Sequence, residues 1–257
     1  MTPEDEILFE RSDDIGWITF NRPRARNALT FGMYRRLAEI CSEPPAGLSA
    51  LILRGAGGEA FAAGTDISQF RDFTTPQHAI DYEATMDSVL GAVETCPLPT
   101  IAAISGACTG GGAAIASACD LRIATSDMKF GFPIARTLGN CLSAVNIARL
   151  NALIGAGRVR EMIFLSRLMG AEEALQVGLV SEVLESHDTL MARAREIGER
   201  LAGQAPLTLR ATKEIQRRLA RVEVEDEDWI VRCYTSDDFR EGLDAFLSKR
   251  NPQWKGR

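Results

Sequence analysis

Hydrophobic and polar positions fall into short strand-like runs before residue 142 and into helical periods after it. Ile7–Arg11 and Gly16–Phe20 read as strands joined by the polar turn Ser12-Asp13-Asp14, and Asn21-Arg22-Pro23 ends the second. Thr30 is placed to cap a helix running to Ser42, which Pro44-Pro45-Ala46-Gly47 breaks. Ala50–Arg54 is a short apolar strand ahead of a glycine-rich loop, Gly55-Ala56-Gly57-Gly58. Ile80, Ala84, Val89 and Val93 share related faces and predict a helix from Pro76 to about Thr95. Thr100–Ser105 reads as a strand, Gly110-Gly111-Gly112 opens a small-residue helix to Cys119, and Leu121–Thr125 and Met128–Phe132 are strands. Helices are expected at Ser143–Leu153, Arg158–Arg167 and Ala171–Val177, then a lone strand at Leu179–Leu184. Two long helices, Thr189–Ala202 and Pro206–Arg221, and two short ones complete the chain. The acidic run Glu223 to Asp228 reads as a solvated turn or helix start.

Thr95 to Cys119 carries no charge and is long enough to span a bilayer. Its wealth of Gly, Ser, Thr, Cys and Ala, with Pro97 and Pro99 near the start, predicts buried elements joined by a glycine turn instead. The 257 residues, 46% apolar and 25% charged, suffice for one large domain or a domain with a helical appendage. A net charge of −6 argues against a nucleic-acid or membrane-surface binder, while leaving room for a local basic site for a phosphorylated ligand. Six cysteines without a CxxC pair, and only two histidines, argue against structural zinc. The opening MTPEDEILFE is acidic and lacks the apolar core of a signal peptide, so a reducing, cytoplasmic location is expected.

Glycine spacing brings in chemistry. Gly106-Ala107-Cys108-Thr109-Gly110-Gly111-Gly112 has neither dinucleotide-fold nor P-loop spacing, and Ser105 lacks the flanking glycines of a nucleophile elbow. Three glycines at a helix start admit a ligand close to the backbone, where unpaired N–H groups at the positive end of the helix suit a developing oxyanion. Tight strand–helix packing asks for the same residues. A second motif, Ala60-Phe61-Ala62-Ala63-Gly64-Thr65-Asp66-Ile67, follows another apolar strand and its loop.

Together the two motifs resemble the crotonase superfamily, or enoyl-CoA hydratase/isomerase family. The likeness extends to Trp17-Ile18-Thr19-Phe20-Asn21-Arg22-Pro23 with Asn27-Ala28-Leu29, to Cys119-Asp120-Leu121-Arg122-Ile123-Ala124, to Gly178-Leu179-Val180, and to the ending from Ser236 through Pro252. The resemblance implies an α/β fold, a spiral of β-β-α units over residues 1–200, with a helical C-terminal region at 201–257 that mediates a homotrimer or a dimer of trimers (a hexamer). Apolar Trp229, Phe239, Leu243, Phe246 and Trp254 suit such a region. It implies an acyl-CoA substrate whose thioester oxygen meets the backbone N–H groups of Thr65 and Gly111. Coenzyme A would lie along Ala63, Thr65, Asp66, Ile67 and Gly110, with Arg24, Ala25 and Arg26 on its phosphate side and Lys249 approaching from a neighbouring subunit. Coenzyme A enters as part of the substrate; no metal or redox cofactor is implied.

The departures bear on the reaction. A hydratase of this family carries one glutamate where Ala114 stands and another where Ile134 follows Gly131-Phe132-Pro133. Alanine and isoleucine can neither activate water nor deliver a proton. Asn140, Cys141 and Arg136 lie in the altered loop after Pro133, and the segment from Gln69 to Glu83, with His78, Asp81, Tyr82 and Glu83, corresponds to the region that lines the acyl pocket in related enzymes. Cys141 would need a lowered pKa to act as a nucleophile, and His187 reads as a surface residue. A lyase or isomerase of this family without standard two-glutamate hydration is expected, with isomerisation, decarboxylation and thioester hydrolysis open. The alternative is a non-catalytic acyl-CoA-binding or assembly protein on the same scaffold.

Overall fold

The computed structural model describes residues 3–220 and 227–255. The acidic run at 223–226 lies outside them, as does the side chain of Trp229. Four strand–strand–helix units repeat along the first part of the chain. In the first, β1 (Ile7–Ser12) and β2 (Ile15–Phe20) precede the helix Phe31–Ser42; in the second, β3 (Ala50–Gly55) and β4 (Ala60–Ala63) precede the helix Pro76–Thr95. In the third, β5 (Thr100–Ile104) and β6 (Ala107–Thr109) lead into the helix Gly111–Ala118; in the fourth, β7 (Leu121–Thr125) and β8 (Lys129–Gly131) lead into the short helix Ile134–Thr137 and the longer Ala144–Ile154. β9 (Met169–Gly170) and β10 (Val183–Leu184) are two-residue strands.

The two strands of units two to four go to different sheets. β1-β2-β3-β5-β7-β10 form a six-stranded sheet, parallel except for the β1–β2 hairpin, and β4-β6-β8-β9 form a smaller one. The chain crosses from one sheet to the other through tight bends. At Gly106 (φ +56°) a Cβ would fall 1.9 Å from the Glu59 carbonyl oxygen, so only glycine permits the β5–β6 bend to pass that close. The first-sheet strands are buried on both faces: Ile18, Phe20, Leu51, Leu53, Ala102 and Ile104 face the main core, while Ile15, Trp17, Ile52, Ile101 and Ile123 meet the helix His187–Ala202 on the other side.

Most predicted elements appear within a residue or two. The uncharged stretch folds as β5, β6 and the glycine-led helix, and no helix among the described residues is long and apolar enough to cross a membrane. Three expectations change. Leu179 and Val180 are buried but not in a strand, because both their N–H groups donate to the Ala174 carbonyl at the end of the preceding helix; the strand is reduced to Val183–Leu184. The helix expected at Arg158–Arg167 runs from Ala156 to Phe164. His187 is half-buried, not a plain surface residue: its Nδ1 lies 2.8 Å from Ser105 Oγ, and it packs over Gly58.

The C-terminal region divides its apolar surface. Ile230, Tyr234 and Phe239 pack against Phe70, Ala79 and Leu138 of the same chain, so part of the surface expected to face a neighbour is satisfied internally. The helix Pro206–Ala220 leaves Leu207, Ile215 and Leu219 between 58% and 82% exposed, and Phe246 and Trp254 are also open.

Candidate active site

The second sheet brings the two glycine motifs together. Ala63 and Thr109 are register partners in the parallel β4–β6 pair, so the chain leaves both strands side by side, into Gly64-Thr65 and Gly110-Gly111. A Cβ at Gly110 would lie 3.3 Å from the Gly64 Cα. The N–H of Leu29 donates to the Gly64 carbonyl and the N–H of Asp66 donates to the Leu29 carbonyl, both at 2.8 Å. In that parallel bridge the intervening N–H of Thr65 faces away from Leu29. Gly111 is the first residue of its helix, where an N–H has no intrahelical partner and feels the positive end of the dipole.

Hydroxyl groups crowd this junction. Tyr34, from the buried face of the helix Phe31–Ser42, places its phenol oxygen 2.8 Å from Thr65 Oγ1, and the Tyr82 phenol from the helix Pro76–Thr95 lies 3.2 Å from the same atom. A methyl group at Gly111 would fall 1.8 Å from the Tyr34 oxygen and 3.1 Å from Thr65 Oγ1, which sets those two side chains against the helix start. Burial pushes the Tyr34 pKa up; the bond to Thr65 opposes this and the Glu83 charge adds to it. Burial does the same at Tyr82, reinforced by Tyr34 and Glu83. Both phenols therefore stay protonated over the ordinary pH range, as donors.

A second polar group lies behind. Glu83 is 4% exposed and accepts a hydrogen bond from the Tyr234 phenol, whose pKa is driven up chiefly by burial. Asn140 Nδ2 donates to the Tyr234 oxygen at 3.1 Å, while Asn140 Oδ1 is buried without a partner. Aromatic rings join the two groups: Phe70 to Tyr82 with centroids 4.9 Å apart, Tyr82 to Tyr234 at 5.9 Å.

The sequence-nominated residues separate accordingly. Thr65, Gly110 and Gly111 meet at the junction, with Ala63 ending β4 beside it; Asn140 belongs to the inner group, and Cys141 is half-buried against the same aromatic cluster. His78 sits in the first turn of its helix, where Nδ1 accepts the Thr74 N–H at 3.1 Å, outside the hydroxyl cluster. Arg136 is exposed on the short helix after Pro133. Arg24 and Ala25 lie on the exposed turn Pro23–Ala25, followed by Arg26 with φ +49°. Asp66 caps the turn Ile67–Phe70 and pairs with Arg22 at 2.9 Å, so its carboxylate is already engaged in fixing the loop. Lys249 is exposed beyond the helix Asp237–Leu247. Ala114 and Ile134 are buried and apolar, one turn after Gly111 and directly after Pro133. Among the polar residues from Gln69 to Glu83, Tyr82 joins the hydroxyl cluster and Glu83 the inner group. Tyr34 and Tyr234 were not singled out from the sequence; the signal for Tyr34 was a hydroxyl-bearing residue on an otherwise apolar face with Met33, Leu37 and Ile40.

A model of the enoyl-CoA hydratase/isomerase family matches residues 10–257. The short-chain-enoyl-CoA hydratase of Clostridium acetobutylicum is 30% identical over 253 residues, covering 96% of each chain. Among solved structures, an enoyl-CoA hydratase/carnithine racemase from Magnetospirillum magneticum is 35% identical with a TM-score of 0.78, covering 98% of this chain and 96% of its own. A methylmalonyl-CoA decarboxylase in complex with 2-nitronate-propionyl-CoA is 26% identical with a TM-score of 0.85, covering 98% and 99%.

Proposed function

The chain belongs to the enoyl-CoA hydratase/isomerase family, and on that footing we propose that it is an acyl-CoA enzyme that stabilises a thioester enolate without the two-carboxylate hydration machinery. The N–H groups of Thr65 and Gly111 bind the thioester oxygen as negative charge develops on it. Each such donor contributes roughly 3–4 kcal/mol to the transition state. The proton that quenches the enolate comes from the Tyr34–Thr65–Tyr82 hydroxyls.

The observation that carries this reading is the contrast at the helix start. Ala114 and Ile134 present hydrocarbon where a water-activating carboxylate would be needed, while the buried Tyr34 phenol, the half-buried Tyr82 phenol and a threonine hydroxyl gather beside Gly111. Protonated phenols are poor bases and serviceable acids. Such a site suits a reaction that makes its enolate by losing a group rather than by proton abstraction. Decarboxylation of a carboxyacyl-CoA does so: the bond from Cα to the carboxylate breaks, carbon dioxide leaves, and the electron pair enters the enolate that the two N–H groups hold. A hydroxyl proton then reaches Cα. The likeness to a methylmalonyl-CoA decarboxylase supports this choice over isomerisation or hydrolysis.

Turnover across a panel of acyl-CoA thioesters, read by mass spectrometry, tests it. The expected result is loss of carbon dioxide from a short carboxyacyl-CoA and crotonyl-CoA hydration several powers of ten below that of a two-glutamate hydratase, since each positioned acid or base contributes roughly 10²–10⁴. Full hydratase activity, abolished by a bulky side chain at residue 111, would overturn it.

A further inference from the structure

A cleft of about 660 Å³ lies between the helices Ala144–Ile154 and Pro206–Ala220, and the C-terminal ends of the helices Pro76–Thr95 and Gly111–Ala118 also line it. It therefore sits at the far end of the helix that begins with Gly111, away from the two glycine motifs. Its walls differ in character. Val145, Ala148 and Ala152 share one face of the helix Ala144–Ile154, and Val145 is 45% exposed there. The helix Pro206–Ala220 contributes Lys213 and Arg217.

Four cations line the cleft, Arg122, Arg149, Lys213 and Arg217, against two carboxylates, Glu94 and Asp120. Both carboxylates are taken: Glu94 by Arg149 Nε and Asp120 by Lys213 Nζ at 2.7 Å, while Arg217 pairs with Glu214. Arg122 remains. It is 9% exposed, and its guanidinium donates to the carbonyls of Leu179, Ala116, Cys119 and Asp120, the last from Nη2 at a long 3.4 Å. Among the described residues it forms no ion pair with a carboxylate. Burial pushes its pKa down, and the charges of Cys119 and Asp120 oppose that push. A desolvated cation without a paired anion is costly to hold. Arg149 is equally buried. Its Nη1 donates to Asn146 Oδ1 at 2.7 Å, and its Nη2 has no acceptor among the described residues.

We propose that this cleft binds a small aliphatic carboxylate, with the head group on the Nη2 groups of Arg122 and Arg149 and the hydrocarbon chain along Val145 and Ala148. The carboxylate supplies the counter-charge that Arg122 lacks and accepts the N–H groups that Arg149 has to spare. An inorganic anion would use the basic side of the cleft and leave the apolar face in water; a neutral lipid would do the reverse. An amphipathic anion meets both.

Calorimetry on the full-length protein tests this, with hexanoate, neutral hexanamide and inorganic phosphate as probes. Hexanoate should bind with one-to-one stoichiometry. Hexanamide should bind about tenfold more weakly or worse for want of the charge-assisted bonds, and phosphate should also be weaker for want of a chain to bury. Ala148→Phe fills the apolar face without altering charge and should abolish hexanoate binding. In the unmodified protein hexanoate should shift the Arg149 Nε–H resonance; should the variant fail to fold, that measurement decides alone, and an unmoved resonance sinks the idea. Absence of hexanoate binding, hexanamide or phosphate bound as tightly, or binding undiminished by Ala148→Phe would each overturn the proposal. So would a molar mass in light scattering that falls in Ala148→Phe while hexanoate never binds, which would give the cleft to a second copy of the chain.

Discussion

The Tyr34 phenol oxygen stands 2.8 Å from Thr65 Oγ1 and occupies the space that any side chain at residue 111 would need. A backbone motif and a side-chain motif thereby constrain one another: Gly111 must be glycine in this chain partly because residue 34 is tyrosine.

Gly111→Ala should therefore be destabilising in a way that depends on Tyr34. With the Cβ only 1.8 Å from the phenol oxygen and 3.1 Å from Tyr34 Cζ, the ring must move. In a Tyr34→Phe background the nearest clash disappears and the substitution costs less. A double-mutant cycle in urea should give a coupling of about 0.5–3 kcal/mol. Additive effects would show that the ring relaxes freely.

Tyr34→Phe should lower kcat by about 10², the lower end of what a positioned acid contributes, with little change in KM. Tyr82→Phe should cost less than about tenfold, because Thr65 keeps its shorter bond to Tyr34. Steady-state kinetics on the accepted thioester separates the two; a pure KM effect at Tyr34 would make it a binding residue only.

Tyr234→Phe removes a donor from Glu83, a carboxylate that is 4% exposed. Leaving a buried acceptor one bond short costs about 1–3 kcal/mol. The urea midpoint should fall accordingly, and Glu83→Gln combined with Tyr234→Phe should recover part of the loss, because the charge no longer needs the bond.

The Asp66 loop should weaken in acid. Burial raises the Asp66 pKa, but hydrogen bonds from the Ser68 side chain and N–H, together with Arg22, outweigh it and hold the carboxyl below its usual range. For a depressed carboxyl pKa, the contribution to stability is present above the unfolded value and is lost as pH falls through the folded one. The protection of the amides at residues 64–68, relative to their intrinsic exchange rates at each pH, should thus fall below about pH 4, and Arg22→Ala should move that fall to higher pH. Equal pH dependence in both proteins would contradict the role of Arg22.

The first strand of each unit was legible in the sequence as a short, largely apolar run, whereas the strand–strand–helix repeat itself came only with the family resemblance. β4 and β6 were not read as strands, since AFAA and ACT are too short and too small to show any period. Their glycine flanks nevertheless pointed to the junction. The hydroxyl cluster was mostly hidden. Tyr34 sits at a core position of an amphipathic helix, where a phenol and a phenylalanine look alike until a partner is known. Tyr234 meets Glu83 across 151 residues, a pairing that no local spacing encodes. His78 and Arg136 were nominated from side-chain chemistry and from their place in the variable segment and the altered loop, and both lie outside the hydroxyl cluster, in a first helical turn and on an exposed short helix.

The parallel register that sets Ala63 beside Thr109 has a consequence for how this architecture changes over time. In the function proposed above, the anchor for a substrate oxygen is written in peptide bonds that follow two adjoining strands, so it depends on the fold more than on side chains. Ala114 and Ile134 contribute nothing to that register, and packing in the core is what constrains them. On that proposal, the side chains around the backbone anchor decide which reaction follows. A library at residues 114 and 134 limited to side chains of similar volume should return mostly folded proteins, which makes those two sites the natural starting point for changing the reaction.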